Sequence, residues 1–296
     1  AGSSVGGLSQ RGEWEAVLRN GQPRLTALRH STWPALDPDG TLWPQLQPCF
    51  ITTCTRTLWT VRQRDRSVIE VALDVGEILA GGRSLPICEL ELELKAGSPQ
   101  ALHALARALA ADLALLPGQA SKAERGYALA RDEAELPRPA RPVALTREMP
   151  TRQAAAQLLA EAWDQTLRHT ALLLHSDAPE LLHQARVAWR RLRCLAWLFK
   201  PVVGPAPRDE ALRAFWRSTD AVRELDVAQH HTLPAWANAY VGDDASRGWE
   251  WTAMTDALAA ECEAARRAMR QQLAQPATGQ AWLALGAWLT GLAADA

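Results

Sequence analysis

The sequence predicts an α+β protein, an antiparallel β domain followed by an all-α bundle, and three observations carry that reading. Segments before residue 97 alternate polar and apolar side chains with the period of a strand, whereas those after residue 150 repeat their apolar residues at helical spacing. Between Ala130 and Pro150 the periodicity lapses and four prolines appear, Pro137, Pro139, Pro142 and Pro150. A chain of 296 residues has length for two cores, at roughly 100–200 residues per domain. The expected division is therefore a β-rich domain over 1–130, an extended Pro-rich linker over 131–150 and a helical domain over 151–296.

The strands are expected at Arg11–Leu18, Phe50–Val61, Ser67–Asp74 and Pro86–Lys95, which alternate or carry β-branched residues. Asp37-Pro-Asp-Gly marks a turn, and Gly81-Gly82 stands where a hairpin would reverse the chain. Ser98-Pro99 offers an N-cap and a proline at the first helical position, so a helix follows and ends near Pro117. Further helices are expected at Thr151–His175, Pro179–Phe199, Arg208–His231, Trp249–Gln275 and Ala277–Leu292. Leu158, Leu159, Ala162, Trp163 and Thr166 form the core-facing stripe of the first.

Composition excludes several classes. Hydrophobic residues are 48% and charged residues 22%, unlike collagen, coiled coils or disordered chains. The charge-free stretch Ala281–Ala294 has 14 residues, too short for a bilayer that takes about 20. Cys49, Cys54, Cys88, Cys194 and Cys262 are odd in number and never form a C-x-x-C pair. They read as reduced thiols of a cytoplasmic protein. The start lacks both an initiating Met and the layout of a signal peptide, which suggests a trimmed chain without an export signal. A net charge of -1 rules out a global polycation, so any anion site must come from local segregation of charge. That segregation exists: His183–Arg223 holds nine Lys or Arg against three Asp or Glu.

Glu89, Glu91, Glu93 and Lys95 share one face of a strand, while Cys88, Leu90, Leu92 and Leu94 take the other. Carboxylates about 7 Å apart in succession repel one another unless cations or water screen them. A half-exposed strand with a solvated face has the same pattern. Ionic residues recur with this period elsewhere, as Arg11, Glu13 and Glu15, as Glu70 and Asp74, and as Arg56. A polar-lined barrel interior follows, with carboxylates for Mg²⁺ and cations for a polyanion.

Ile69-Glu-Val-Ala-Leu-Asp-Val-Gly-Glu-Ile-Leu-Ala-Gly, Cys88-Glu-Leu-Glu-Leu-Glu-Leu-Lys and Ser121-Lys-Ala-Glu-Arg-Gly-Tyr together resemble the C-terminal half of a CYTH domain of the triphosphate tunnel metalloenzymes. The resemblance implies an antiparallel β tunnel and hydrolysis of inorganic triphosphate, or of related triphosphates, with Mg²⁺ or Mn²⁺. It makes Glu89, Glu91 and Glu93 candidate catalytic residues and metal ligands, with the register among them open. Asp74 joins them as a metal ligand, and Glu13 is a supporting acid. Arg56, Lys95, Lys122 and Arg125 would bind triphosphate. The family's opening E-x-E-x-K strand has no counterpart upstream of Arg11, so the front of the tunnel is expected to be missing and the tunnel partial.

In the second half, His183, Arg186, Arg190 and Arg193 fall on one helical stripe, and no Asp or Glu lies between Leu181 and Phe199. Val187, Leu195 and Leu198 are expected to face other helices. A solvated basic surface is the plain alternative. His183-x-x-Arg186-Val-x-x-Arg190-Arg191-Leu-Arg193 is similar to the opening motif of CHAD domains, and Val222-Arg-Glu-Leu-Asp-Val227 to a second, with Glu224 where Asp is usual. That resemblance implies a helical bundle binding inorganic polyphosphate through His183, Arg186, Arg190, Arg191 and Arg193. CHAD domains are usually longer than this tail, so the chain is expected to be clipped at both ends.

His230-His231 lacks further ligands at metal spacing and reads as a helix-end pair. Among the tryptophans of the helical half, only Trp189 stands among cations as a base-stacking platform would. The expected function is metal-dependent triphosphate hydrolysis with polyphosphate binding, or else polyphosphate binding without catalysis. A membrane is not expected as a partner, and nucleic acid is least favoured.

Overall fold

The computed structural model describes residues 3–10, 24–118, 120–133 and 136–294. The expected strand Arg11–Leu18, with Glu13, lies outside them. The chain opens with a small hairpin, β1 (Ser3–Val5) and β2 (Leu8–Gln10), turned by Gly6-Gly7 and not anticipated from sequence. A short helix α1 (Trp33–Leu36) follows. Then come three long strands, β3 (Ile51–Arg62), β4 (Val68–Ala80) and β5 (Arg83–Ala96), in one antiparallel sheet of order β3-β4-β5. β4 and β5 run further than their alternation suggested, up to the hairpin at Gly81-Gly82. Both glycines have positive φ, 57° and 77°, as a tight two-residue hairpin requires.

The sheet carries a helix on each face. α2 (Pro99–Leu109), capped by the Ser98 hydroxyl, buries Ala101 and packs the half-buried Leu105 against the face of Ile69, Val71, Leu90, Leu92 and Leu94. It stops well before Pro117. α3 (Lys122–Ala130) covers the opposite face, where Leu129 packs with Ile78, Ala80 and Ile87. This helix begins in a capping box in which Ser121 and Glu124 each satisfy the other's backbone N–H. Gly126 lets it settle, since a Cβ there would collide with the Phe50 ring.

After an irregular segment come α4 (Thr151–Leu172), α5 (Pro179–Leu198), α6 (Lys200–Val203), α7 (Glu210–Val227), α8 (Leu233–Val241), α9 (Ala245–Leu273) and α10 (Pro276–Ala294). The architecture is thus α+β, with an antiparallel three-stranded sheet and a helical C-terminal region. A π-helical turn, Ala228–Thr232, joins α7 to α8, so the expected helix to His231 continues without a break. α9 starts before Trp249, at an Asp244 cap.

The bundle core gathers Trp163, Leu167, Phe215, Trp282 and Leu289. Trp189 stacks on Trp216 with ring centroids 5.1 Å apart and meets Trp282 edge-on, so it belongs to this core and offers no base-stacking platform. α10 also packs on the N-terminal domain. Gly286 and Gly6 approach backbone to backbone, Thr290 Oγ1 donates to the Val5 carbonyl at 3.2 Å, and His103 Nε2 lies 3.2 Å from the same hydroxyl. Among the described residues, no helix is long and apolar enough to cross a membrane.

Candidate functional site

Antiparallel pairing sets three ionic residues in one row across the sheet: Arg56 opposite Asp74, and Asp74 opposite Glu89. Glu91 lies two residues along β5 on the same face, opposite Ala72. The small Ala72 leaves room above the central strand. One ligand oxygen from each of Asp74, Glu89 and Glu91 lies within 4.8 Å of the others, which is close enough for one cation.

Three basic side chains surround these carboxylates. Arg56 grips Asp74 with a planar fork, Nε at 2.7 Å and Nη2 at 2.6 Å, and Nη2 also reaches Glu91 at 2.6 Å. Lys122 Nζ lies 2.7 Å from Asp74 and 2.6 Å from Glu91, and also pairs with Glu89. Arg125 pairs with Glu89. Lys122 and Arg125 are three apart at the start of α3, hence on one face of it, and the capping box aims that face at the sheet.

Asp74 is fully buried, and Arg56 holds its carboxyl down at about 2 against the opposing effect of burial, with help from Lys122. Burial disfavours the Lys122 ammonium, but hydrogen bonds to Asp74, Glu89 and Glu91 outweigh this and raise its pKa. The Arg56 guanidinium is raised as well, chiefly by Asp74. Three carboxylates and three cations thus interlock, each charge answered by an opposite one.

Two of the residues singled out in sequence stand apart. Glu93 lies opposite Glu70, and Lys95 bridges the two at 2.7 Å and 3.5 Å. Arg56, Asp74, Glu89 and Glu91 were singled out in the strands and Lys122 and Arg125 only through the family resemblance, and the pairing of Arg56 with Glu91, 35 residues away, has no local signal.

On α5 the basic residues divide. Arg186 donates to Thr219 and Asp220 of α7, both at 2.6 Å. Arg191 meets Glu161 of α4 at 2.6 Å. The acids absent from this stretch of sequence are supplied by neighbouring helices. Arg190 and Arg193 are exposed and, like His183, have no ion pair or hydrogen bond among the described residues. The inward face is Leu181, Leu182, Ala185, Ala188 and Leu192. Leu198, expected to face another helix, is exposed because α5 ends there and the chain turns away into α6. In the second motif Asp226 is buried and paired with Arg266 of α9, whereas Glu224 faces solvent.

Residues 2–127 match the CYTH domain and residues 157–296 the CHAD domain. The chain is similar to a protein of Haemophilus influenzae named inorganic triphosphatase, 38% identical over 129 residues. The match takes in 43% of this chain and 35% of that protein, so the chain spans about a third of its relative's length. The ionic cluster on β3–β5 and α3 lies within the first matched region and the basic helix within the second. The chain therefore carries a CYTH region, residues 2–127, followed by a CHAD region, residues 157–296.

Proposed function

We propose that this chain contributes the site at which inorganic triphosphate, or a related triphosphate, is hydrolysed with a divalent metal in the cytoplasm, and that its helical domain binds inorganic polyphosphate. The observation that carries this reading is the meeting of Asp74, Glu89 and Glu91 within reach of one cation, ringed by Arg56, Lys122 and Arg125. The donor set is purely carboxylate oxygen, which suits hard cations such as Mg²⁺ or Mn²⁺. A metal held there by Asp74, Glu89 and Glu91 would polarise phosphoryl oxygens as a Lewis acid.

The chain's own cations supply the rest of the phosphate recognition. Arg56 and Arg125 offer planar forks to non-bridging oxygens, and Lys122 a compact charge. All three exchange carboxylate partners for phosphate oxygens when substrate enters, so their charge is in place before the leaving pyrophosphate develops its own. Glu91, with 45% of its side chain exposed, is the carboxylate placed to orient an attacking water. Glu93 and Lys95 belong to the rim of the site, where they hold each other and Glu70. On α5, Arg190 and Arg193, with His183, take polyphosphate directly, while Arg186 and Arg191 hold the helix in place.

The test is release of phosphate and pyrophosphate from triphosphate with Mg²⁺ or Mn²⁺, for the wild type and Glu91→Gln. We expect metal-dependent turnover that falls by about two orders of magnitude in the variant, with Mn²⁺ binding weakened in parallel and the fold retained. Unchanged turnover in Glu91→Gln sinks the assignment. A second reading, polyphosphate binding without catalysis, is favoured by the open sheet, whose edge strand β3 is exposed along nearly its whole length. Polyphosphate binding with no hydrolysis under either metal would establish it.

A further inference from the structure

The basic stripe of α5 does not end in charge. Arg190, Arg193, Cys194, Trp197 and Leu198 are all exposed and follow one another at three- and four-residue spacing, so they form a single stripe down the end of the helix. Trp197 leaves 78% of its surface in solvent and Leu198 59%, although the other face of the same helix buries Leu181, Leu182, Ala185, Ala188 and Leu192. Just beyond, α6 adds Lys200, Pro201 and Val202, exposed as well. Arg152 of α4 donates to the Val202 carbonyl at 3.0 Å, which fixes α6 beside the end of the stripe. The patch is therefore basic toward the start of the stripe and apolar toward its end.

Burying a Trp or a Leu is favourable, so contiguous apolar side chains left in water beside unanswered cations mark a contact surface. Arg190, Arg193 and Lys200 have no ion pair or side-chain hydrogen bond among the described residues, and no Asp or Glu occurs from Leu181 to Arg208. Polyphosphate answers the arginines but offers nothing apolar to Trp197, Leu198 and Val202. A nucleic acid stacks a base on Trp197, but Leu198, Pro201 and Val202 are aliphatic and present no ring to stack. A second copy of the same patch sets like charges against each other. A bilayer of anionic phospholipid meets every part at once, because its phosphate headgroups take the cations while the acyl boundary takes the aliphatic side chains and the indole.

We propose that the end of α5, with α6, is a docking surface for an anionic phospholipid membrane. Arg190, Arg193 and Lys200 pair with headgroup phosphates, and Trp197, Leu198 and Val202 enter the boundary between headgroups and acyl chains. At about 1.5 Å per residue, Arg190 and Trp197 stand roughly 10 Å apart along the helix, comparable with the depth of about 5–10 Å to which interfacial helices sink. Both levels of the membrane surface are thus within reach together, and a surface contact needs no spanning helix. The proposal shares Arg190 and Arg193 with the polyphosphate reading but rests on the apolar residues, which that reading leaves unused.

The full chain is sedimented with vesicles of phosphatidylcholine alone, or of equal parts phosphatidylcholine and phosphatidylglycerol, at low salt with a chelator. We expect binding to the mixed vesicles that falls with added salt and is at least about tenfold weaker on phosphatidylcholine alone. Trp197→Ala/Leu198→Ala should weaken it at least about tenfold, equivalent to about 1.4 kcal/mol, and Arg190→Gln/Arg193→Gln to a similar degree. Trp197→Phe/Leu198→Ile should keep most of it, and circular dichroism should show the same helix content in every variant. No sedimentation by the wild type, equal binding to both kinds of vesicle, or wild-type binding by Trp197→Ala/Leu198→Ala would each overturn the proposal. So would Trp197-dependent binding of a single-stranded oligonucleotide, or Trp197-dependent self-association, in place of vesicle binding. The assay contains neither metal, triphosphate nor polyphosphate, so its failure leaves the readings of hydrolysis and polyphosphate binding untouched.

Discussion

Replacing Asp74 with Asn removes the one fully buried charge at the centre of the sheet cluster while keeping its volume. The magnitude follows from how the folded protein holds that carboxyl. Arg56 lowers it from the ordinary 3.8 to about 2 despite opposing burial, with Lys122 assisting. At 1.36 kcal/mol per pH unit the difference is worth about 2 kcal/mol, and solvent around the half-exposed Arg56 trims it. The sign is that of a depressed acid: the stabilisation is complete above pH 3.8 and is lost as pH falls through about 2. Urea unfolding with chelator present, followed by circular dichroism of the sheet, should show Asp74→Asn weaker by about 2 kcal/mol at neutral pH. The gap should close between the two pH values, because the wild-type carboxyl is then neutral as well. A variant as stable as the wild type at neutral pH, or a gap unchanged in strong acid, would refute the reasoning.

Gly126→Ala should cost about 1–3 kcal/mol through overpacking against Phe50, and by shifting α3 should loosen Lys122 and Arg125 from Glu89; equal urea midpoints would count against this packing. His169 is fully buried, and burial, then Arg168, lowers it from 6.5 to about 4. A depressed histidine contributes stability above its unfolded value and loses it as pH falls, so the bundle should weaken by up to about 3 kcal/mol between those values. His169→Gln should flatten that slope, and an unchanged slope refutes the assignment. Arg190→Glu/Arg193→Glu should abolish most polyphosphate binding, which in the wild type should fall steeply with salt, without loss of helix. Arg186→Gln or Arg191→Gln should instead lower the melting temperature, each losing a charge-assisted contact worth about 1.5 kcal/mol or more; binding equal to wild type in the double Glu variant would leave α5 an ordinary charged surface.

What the sequence determined by itself is what depends on short-range periodicity. Alternation in Cys88–Lys95 assigns the carboxylates to one face and the leucines to the other, and β5 keeps that division. Ser98-Pro99 announces the start of α2, and helical spacing announces the bundle. Tertiary structure decided which charges answer which. Arg56, Asp74, Glu89 and Lys122 come from four separate elements, and only strand register and the docking of α3 bring them together. The same cause divided the α5 stripe. Nothing within four residues of Arg186 or Arg191 foretold Asp220 and Glu161, because ion pairs between helices depend on how the helices pack. Trp189 shows the converse: its neighbours in sequence are cations, but its neighbours in space are Trp216 and Trp282, since burying a large apolar ring outweighs the company it keeps along the chain.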